Sequence, residues 1–434
     1  MTRSADCIII GAGIIGAAIA LELSRKGFRT ISVDRNPAAG YGPTSGSCAI
    51  IRVHYSTLEG TAFAWEGYHY WKNWDEYLGV RDPTGMAEFR ETGCLVMQTE
   101  GNNFLEKHGR LSRELGIPCE YWDASEVESR LPIYSLRSYS PVRRMDDDKF
   151  GEANGSTLRG ALFWKTAGYV TDPQLSTRNI QCACEASGGT FLFGREVEEV
   201  IIASGRVAGA RLDDGSELHA PIVVNVAGPW SGHVNRMAGA DRDMTISTKA
   251  LKQEVAHVPA PEGFDFYKNG FVISDNDIGC YVRPEKGNFI LIGSEDPACD
   301  PREFVDPDTY DRDFSEQWTH QVYRYAQRVP SLGIPSRMRG VVDLYDVADD
   351  WIPVYDKSSV PGFYMAIGTS GNQYKNAPIA GKLMAELIEY CEAGNHHDNA
   401  PLKFKLPCTE QSIDTSFYSR KREINKESSF SVLG

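Results

Sequence analysis

The sequence predicts a mixed fold, α/β plus α+β, that combines a wound parallel sheet with a second, mostly antiparallel sheet. Three observations support this prediction. A strand–glycine turn–helix–strand pattern opens the chain at Cys7–Asn36, two later buried strands also end in glycine, and the segments between them alternate short strands with tight turns. With 434 residues, the chain is long enough for two or more compact units.

The first unit begins with an all-apolar run, Cys7–Ile10, which is typical of a buried parallel strand. Gly11, Gly13 and Gly16 follow it in the spacing G-x-G-x-x-G. The first glycine permits a tight turn, the second lets the backbone approach a pyrophosphate, and the third lets the next helix pack closely. The pattern predicts the phosphate-binding turn of a Rossmann-like domain.

A helix and a second strand complete this unit. The helix is predicted over Ile14–Arg25, closed by Gly27, and the strand over Thr30–Val33. The helix N-terminus presents free amides and a positive dipole end to a phosphate. Asp34 lies 18 residues after Gly16, where a carboxylate accepts hydrogen bonds from ribose hydroxyls and repels a 2′-phosphate. We therefore predict that this unit binds the ADP half of a dinucleotide.

Composition and charge exclude several classes of function. The 59 acidic and 45 basic residues give a net charge of −14, which argues against nucleic acid or an anionic membrane as the main partner. No apolar run reaches the length of a membrane span, and the apolar N-terminal segment is a glycine-interrupted strand rather than a signal peptide. The ten cysteines show neither C-x-x-C pairing nor zinc spacing. We expect reduced thiols, a cytoplasmic location and no metal site.

Two later segments repeat the strand–glycine pattern. Ala220–Gly232 predicts a buried strand followed by a helix after Trp230, and Gly362–Tyr390 predicts a strand followed by a helix from about Pro378. The start, middle and end of the chain thus return to the carboxyl edge of one sheet, where ligands bind in open α/β folds. A cofactor held by all three segments is longer and more enclosed than a nicotinamide nucleotide on one contiguous domain, which favours FAD.

The intervening segments predict short strands and hairpins. Arg195–Ala220 contains three strand-like runs, and Glu88–Glu100, Lys249–Val258 and Asn269–Glu295 are similar. We predict that they form an antiparallel sheet, typical of a separate substrate domain. The predicted FAD-binding domain is discontinuous and covers residues 1–85, 150–235 and 340–434, and the substrate domain covers residues 86–149 and 236–339.

Five motifs occur in order along the chain. They are GAGIIG…VDR at its start, YGPTSGSCAIIRVHYS (Tyr41–Ser56), VVNVAGPWS (Val223–Ser231), GVVDLYDVADDWIPVYD (Gly340–Asp356) and AIGTSGNQYKNAP (Ala366–Pro378). In this order and spacing they resemble those of D-amino-acid-oxidase-type flavoproteins, within them the sarcosine oxidase, glycine oxidase and dimethylglycine dehydrogenase branch. The resemblance covers nearly the whole chain.

This resemblance implies FAD as the cofactor and assigns residues to it. The loop from Gly371 to Lys375 would meet the flavin edge, where amides and a helix N-terminus stabilise the anionic pyrimidine end of reduced flavin. Val197 and Gly228 would hold the adenine side. The complete predicted set is Gly11, Gly13, Ile14, Ile15, Gly16, Asp34, Arg35, Thr44, Ser45, Ile50, Val197, Gly228, Trp230, Gly371, Asn372, Gln373, Tyr374 and Lys375.

Two cations carry the substrate prediction. Arg52 follows the apolar pair Ile50–Ile51, and in sarcosine oxidases the arginine and lysine that match Arg52 and Lys375 bind the substrate carboxylate. The arginine fork suits a bidentate carboxylate contact. The alternatives are an interdomain salt bridge for Arg52 and a solvated helix cap for Lys375. Tyr281 and Tyr345 fall where the family places aromatic residues near the substrate, with packing in a sheet as the alternative.

The sequence departs from the family at three points. Asp343 stands where monomeric sarcosine oxidases attach flavin through a cysteine. The stretch TSGSCA (Thr44–Ala49) lacks the histidine of the dimethylglycine dehydrogenase type, although it contains Cys48. We therefore predict non-covalent FAD. Leu291 replaces a lysine that helps sarcosine oxidases activate oxygen, so the electron acceptor is predicted to be oxygen, reacting slowly, a quinone or an electron-transfer flavoprotein.

The predicted reaction is oxidation of the C–N bond of a small, carboxylate-bearing amine, an N-methylated amino acid such as sarcosine or dimethylglycine. Hydride passes to FAD and water hydrolyses the imine. The positive site favours the neutral amine, so no dedicated side-chain base is required. Two alternatives stay open. One is a flavin dehydrogenase of a 2-hydroxy acid or glycerol phosphate, because NVAGPW also occurs in such chains, and the other is a catalytically silent flavin-binding subunit of a complex.

Overall fold

The computed structural model describes residues 3–433, which contain ten α-helices and 24 β-strands. The helices are α1 (Ile14–Arg25), α2 (Leu58–Lys72), α3 (Trp74–Leu78), α4 (Phe104–Glu114), α5 (Ala124–Arg130), α6 (Pro173–Ala186), α7 (Ser231–Ala238), α8 (Phe266–Asn269), α9 (Glu316–Arg328) and α10 (Ala377–Glu392). The strands are β1 (Arg3–Ser4), β2 (Cys7–Ile10), β3 (Thr30–Asp34), β4 (Ile50–Ile51), β5 (Phe89–Arg90), β6 (Cys94–Met97), β7 (Glu120–Asp123), β8 (Gly160–Trp164), β9 (Gly168–Val170), β10 (Thr190–Phe193), β11 (Val197–Ala203), β12 (Arg206–Leu212), β13 (Glu217–His219), β14 (Ile222–Asn225), β15 (Thr248–Pro259), β16 (Val272–Asp275), β17 (Cys280–Glu285), β18 (Phe289–Ser294), β19 (Phe304–Val305), β20 (Gly340–Ala348), β21 (Val354–Lys357), β22 (Phe363–Ile367), β23 (Lys403–Lys405) and β24 (Ser412–Asp414).

The predicted parallel sheet has six strands in the order β10-β3-β2-β14-β22-β21. Its first five strands run parallel, and β21 closes one edge in the antiparallel direction. Helix α1 packs against α6 and α10 on one face. A Cβ atom on Gly381 of α10 would lie 2.6 Å from the Ala18 carbonyl oxygen of α1, so this glycine permits the close helix contact. The strands and helices predicted from the glycine-rich segments are confirmed.

A nine-stranded, mostly antiparallel sheet forms the second part of the fold. Eight of its strands follow the order β19-β15-β18-β17-β16-β6-β8-β7, and β20 pairs along β15. Strands β6 and β16 pair in parallel, whereas the other pairs are antiparallel. Helix α9 packs against β15, β17 and β18. Buried apolar side chains from these strands and from α9 form one core, with Ile273, Val282, Ile292, Trp318 and Val322 among them.

The strand pairing corrects the predicted organisation in two places. The three runs of Arg195–Ala220 do not join the large antiparallel sheet. They form a separate sheet with β1, because β13 pairs with β1 and its neighbours pack apolar side chains on the parallel sheet. Strands β8 and β20 fall within the predicted FAD-binding domain, yet they pair with β6, β7 and β15 of the antiparallel sheet. The division into two domains otherwise stays a prediction.

Candidate functional site

An elongated cavity runs between the parallel sheet and the antiparallel sheet. Its lining includes Gly11 and Arg35 at one end and Tyr281, Tyr345 and Lys375 at the other. All of the predicted cofactor and substrate residues except Ser45 line this cavity. Ser45 is exposed, because its Oγ atom turns back and donates to the Gly42 carbonyl oxygen at 2.9 Å. The fold thus brings together segments from the start, middle and end of the chain.

The glycine turn at the end of β2 is shaped as predicted. Gly11 has a φ angle of +110°, and a Cβ atom there would lie 2.3 Å from the Val226 carbonyl oxygen. One carboxylate oxygen of Asp34 accepts the Ala12 N–H at 2.7 Å, and the other accepts the Asn36 N–H at 2.8 Å. The second oxygen also accepts Asn36 Nδ2 at 3.0 Å, whereas the oxygen bonded to Ala12 keeps a second lone pair for a hydroxyl donor. Helix α1 starts beside this turn without a side-chain cap, so the residues present fit the phosphates and ribose of a dinucleotide.

A cluster that the sequence motifs do not reveal lies at the end of the cavity beside Asp34. The Arg35 guanidinium lies over the Trp230 ring, 4.1 Å from its centroid. Asp308 accepts hydrogen bonds from Trp230 Nε1 at 2.7 Å and from Arg35 Nη1 at 3.0 Å. Asp308 belongs to the loop between β19 and α9, so a segment that connects two strands of the antiparallel sheet reaches the nucleotide end of the cavity.

Arg52 lies in the cavity directly after β4 and is 6% exposed. Its guanidinium stacks over the Tyr55 ring, 4.2 Å from the centroid, and donates to the backbone carbonyls of His54 and Val432, the latter at 2.9 Å. These acceptors are neutral, and Arg52 has no carboxylate partner within residues 3–433. The interdomain salt bridge considered for Arg52 is therefore wrong for this part of the chain.

Lys375 precedes α10 and is 3% exposed, so the alternative of a solvated helix cap is also wrong. Its Nζ atom donates to the Asn372 carbonyl oxygen at 2.7 Å and to Tyr55 Oη at 3.1 Å. The Tyr55 hydroxyl donates in turn to the same Asn372 carbonyl at 2.5 Å. Tyr55, which the sequence analysis did not single out, therefore lies between the two cations.

The buried position of Lys375 makes its protonation sensitive to ligands. Burial lowers the pKa of Lys375 well below its ordinary value, and the positive charge of Arg52 lowers it further. A carboxylate placed beside Lys375 would raise this pKa again by favouring the ammonium form. Binding of an anion is therefore coupled to uptake of a proton.

We expect carboxylate binding to weaken as the pH rises from neutral toward the ordinary lysine range, because fewer Lys375 side chains then carry a proton. The dissociation constant of benzoate, which cannot be oxidised here, is measured from the flavin spectrum across this range. In Lys375→Met the dependence over this range should disappear while the protein still binds FAD. A benzoate affinity that is constant with pH in the unmodified protein would contradict the expectation.

Two phenols face the same end of the cavity. Tyr281 Oη and Tyr345 Oη lie 3.3 Å apart, and Cys48 Sγ lies 3.7 Å from Tyr281 Oη. Burial raises the pKa of both tyrosines, so they are neutral hydrogen-bonding groups. A Cβ atom on Gly371 would lie 2.5 Å from the Tyr345 ring, which explains why the flavin-edge loop carries glycine there. Both tyrosines pack in the sheet and also line the cavity.

Three acids near the cavity have raised pKa values that the sequence motifs do not reveal. Asp343 and Asp346 line it, and burial raises the pKa of Asp343 to about 6 and that of Asp346 to about 7. Glu295 accepts the hydroxyl of Ser274, a lining residue, at 2.5 Å, and burial raises its pKa to about 8. Carboxyl groups with raised pKa values carry less negative charge near neutral pH than ordinary carboxylates do, which keeps this end of the cavity suited to an anion.

Residues 3–433 also bear on two other classes of site. They contain no group of three or more histidine, cysteine, aspartate or glutamate side chains placed to hold a metal ion. None of the helices in that range is both long enough and apolar enough to span a bilayer.

Comparisons with known proteins agree with this geometry. A family model described as DAO, FAD dependent oxidoreductase, matches residues 6–387. FAD-dependent oxidoreductase domain-containing protein 1 of Bos taurus is 26% identical over 420 residues, covering 88% of this chain and 81% of that protein. Glycine oxidase of Geobacillus kaustophilus is 25% identical over 405 residues, covering 90% of this chain and 94% of the oxidase. The fold is shared with L-proline dehydrogenase from P. horikoshii, with a TM-score of 0.77, 20% identity and coverage of 97% of this chain and 98% of that structure.

Proposed function

The chain belongs to the DAO family of FAD-dependent oxidoreductases, and from that premise we propose that it oxidises the C–N bond of a small amino acid. One observation carries the proposal. Arg52 and Lys375 are buried in the cavity, and within residues 3–433 their hydrogen-bond partners are carbonyls and a phenol rather than carboxylates. Two buried cations whose hydrogen-bond partners in the described range are neutral form a site for an anionic group of a ligand.

The cavity supplies residues for each part of FAD. The turn from Gly11 to Gly16 and the start of α1 would hold the pyrophosphate, and Asp34 the ribose, with Arg35 and Trp230 toward the adenine. The loop from Gly371 to Lys375 would meet the flavin edge. Bound FAD supplies the electron acceptor of the reaction, taking two electrons and a proton from the substrate as hydride.

The protein's own groups would bind and orient the amino acid. Arg52 and Lys375 hold its carboxylate, which fixes the direction of the C–H bond to be broken. Their positive charge lowers the pKa of the substrate amine and favours its neutral, reactive form. Tyr281 and Tyr345 offer neutral hydroxyls at the other side of the substrate. Arg52, Lys375 and Tyr281 are buried and Tyr345 is half-buried, which limits the access of water to the reacting atoms.

We propose an N-methylated amino acid as the substrate, on the resemblance to the sarcosine oxidase branch; the glycine oxidase relative supports the wider class of small amino acids. The test is an anaerobic screen in which each compound is added to the FAD-loaded protein and the flavin absorbance is followed. Bleaching by sarcosine or dimethylglycine supports the proposal, and bleaching by unmethylated glycine alone restricts it to the wider class. Bleaching by a hydroxy acid or glycerol phosphate, or by none of these compounds, would favour the two alternatives.

The electron acceptor is a separate proposal. Leu291 stands where the resemblance leads us to expect an oxygen-activating lysine, and it packs against Cys48 and Tyr281. A leucine there supplies no positive charge to stabilise superoxide, so we propose a quinone or an electron-transfer flavoprotein as the acceptor. Reoxidation of the bleached flavin should be slower with oxygen than with a soluble quinone analogue.

We expect acid precipitation to release FAD into the supernatant and to leave a colourless pellet, because neither Asp343 nor Cys48 is suited to hold FAD covalently. Asp343 offers a carboxyl where a thiol would be required. Cys48 lines the cavity, yet burial raises the pKa of its thiol and disfavours the nucleophilic thiolate. Absorbance of pellet and supernatant is compared for the unmodified protein and Cys48→Ser. A yellow pellet from the unmodified protein would contradict the prediction, and loss of that colour in Cys48→Ser would identify Cys48 as the attachment site.

A further inference from the structure

The segment Ser428–Leu433, which we call the strap, enters the cavity beside Arg52. Val432 and Leu433 are lining residues, and Leu433 is 8% exposed. The Val432 side chain packs against the apolar cluster that contains Tyr281. Val432 and Phe430 also pack in a second apolar cluster, to which Tyr345 belongs. The strap therefore forms a wall of the cavity at the end assigned to the substrate.

Two arginines hold alternate carbonyls of the strap. Arg52 Nη2 donates to the Val432 carbonyl oxygen at 2.9 Å, and Arg302 Nη2 donates to the Phe430 carbonyl oxygen at 2.6 Å. Arg302 also lies over the Trp351 ring, 4.9 Å from its centroid. The Arg52 guanidinium is suited to bind a carboxylate, yet one of its N–H donors is thus bonded to a neutral backbone carbonyl of the same chain.

We propose that the strap is an intramolecular competitor for Arg52, which a carboxylate ligand displaces when it binds. This inference rests on the proposed function, because it takes Arg52 as the carboxylate anchor. A carboxylate makes a stronger, charge-assisted hydrogen bond with arginine than a backbone carbonyl does, so the exchange is favourable. The ligand binds the state in which the strap has left Arg52, so it shifts the equilibrium between the strap-bound and strap-released states toward release.

The backbone conformation and the hydrogen bonds of the strap favour its release. Phe430 has a φ angle of +52°, in the left-handed region that residues other than glycine rarely adopt. Within the strap, side-chain hydrogen bonds are local, such as Leu433 N–H to Ser431 Oγ at 3.2 Å. The chain before it is fixed, since Arg422 donates to both carboxylate oxygens of Asp350 at 2.7 and 2.9 Å. Movement can therefore be confined to residues after this anchor.

The first experiment measures amide hydrogen exchange in the FAD-loaded protein. Arg52→Met should speed exchange of the strap amides by about tenfold without any ligand, because the strap loses its anchor. Lys375→Met is the matched control: it removes the other cation of the cavity, whose bonds go to Asn372 and Tyr55 rather than to the strap. Unchanged strap exchange in Arg52→Met, or the same increase in Lys375→Met, would overturn the inference.

The second experiment measures competition. Residues 429–433 are replaced by Gly-Ser-Gly-Ser-Gly, which removes the apolar side chains that hold the strap in place. We expect the dissociation constant of benzoate to fall by about tenfold, the size of a population shift that frees Arg52. Ile424→Gly, an exposed position before the strap, is the control and should not change the affinity.

The outcomes separate the inference from the proposed function. If the strap replacement leaves benzoate affinity unchanged or weaker, while Arg52→Met still weakens it, the strap is a lid or a static wall and the inference is wrong. If Arg52→Met does not weaken benzoate even with the strap replaced, Arg52 is not the carboxylate anchor and the proposed function fails. Absence of benzoate binding in every variant counts against both.

Discussion

Substitution of Arg52 by methionine should lower kcat/KM for the amino-acid substrate by about 100- to 1000-fold. The guanidinium is buried, and removing it leaves the substrate carboxylate with Lys375 as its remaining cation. Truncating one partner of a buried, hydrogen-bonded charge pair costs about 3–4 kcal/mol, and each 1.4 kcal/mol is about tenfold in rate. Since the carboxylate also fixes the direction of the C–H bond, kcat should fall as KM rises.

Steady-state kinetics with the substrate found in the anaerobic screen measures this effect, and the FAD content of each preparation confirms that the cofactor is retained. Arg81→Met is the matched control, because Arg81 is exposed and pairs with Asp75 at 3.6 Å on the surface. It should leave kcat/KM unchanged. A fall of less than tenfold in Arg52→Met, with FAD retained, would show that Arg52 does not anchor the substrate.

The nucleotide-binding unit is predictable because all of its signals are adjacent in the sequence. The apolar run, the glycine turn and the residues that end the helix set the bounds Cys7–Ile10 and Ile14–Arg25, and the structure has the same bounds. The helix predicted from about Pro378 begins at Ala377, with the proline in its first turn. Local backbone preferences determine these elements, so a single sequence is sufficient to place them.

Local sequence patterns do not predict contacts between segments that are distant along the chain. Asp308 reaches Arg35 across 273 residues, and Val432 reaches Arg52 across 380 residues. Tyr55 lies three residues after Arg52 in one of the motifs, yet its role depends on the carbonyl of Asn372. Each contact depends on how the sheets pack together, which periodicity and spacing do not determine.

The assignment of strands to sheets is limited for a related reason. The sequence of a strand shows which of its faces is buried but not which sheet it joins. Gly160–Trp164 and Gly340–Ala348 have strand-like patterns that suit either sheet. The first pairs with β6 and the second with β15, which places both in the antiparallel sheet. The discontinuous chain therefore crosses between the sheets at points where composition does not change.

The largest loss of stability is expected for Arg420→Met, about 3–5 kcal/mol in the free energy of unfolding. Arg420 is 0% exposed and donates to the carboxylates of Asp243, Asp356 and Asp398 at 2.7 to 3.1 Å. Methionine fills similar volume but leaves three acids close together, and the buried Asp356 loses its arginine partner while keeping its backbone and Ser419 donors. Urea unfolding of the FAD-loaded protein measures the loss. Arg130→Met, which breaks an exposed helix pair with Glu126, should change stability by less than about 1 kcal/mol.

The pH dependence of Arg420→Met gives a second, independent check. Hydrogen bonds from Arg420 hold the pKa of Asp398 well below its usual range. In the unmodified protein these bonds therefore stabilise the fold fully above the pKa that Asp398 has in the unfolded chain. This stabilisation is lost as the pH falls through the lower pKa of Asp398 in the folded protein. Without Arg420 the neighbouring carboxylates repel, their folded-state pKa values rise, and acid protonates them and relieves the repulsion. The difference in stability between the two proteins should therefore be largest at neutral pH and shrink on acidification. Arg420→Lys, which keeps one positive charge, should show a smaller loss and a flatter dependence. A difference that stays constant with pH would mean that Arg420 stabilises the fold by packing rather than by neutralising these acids.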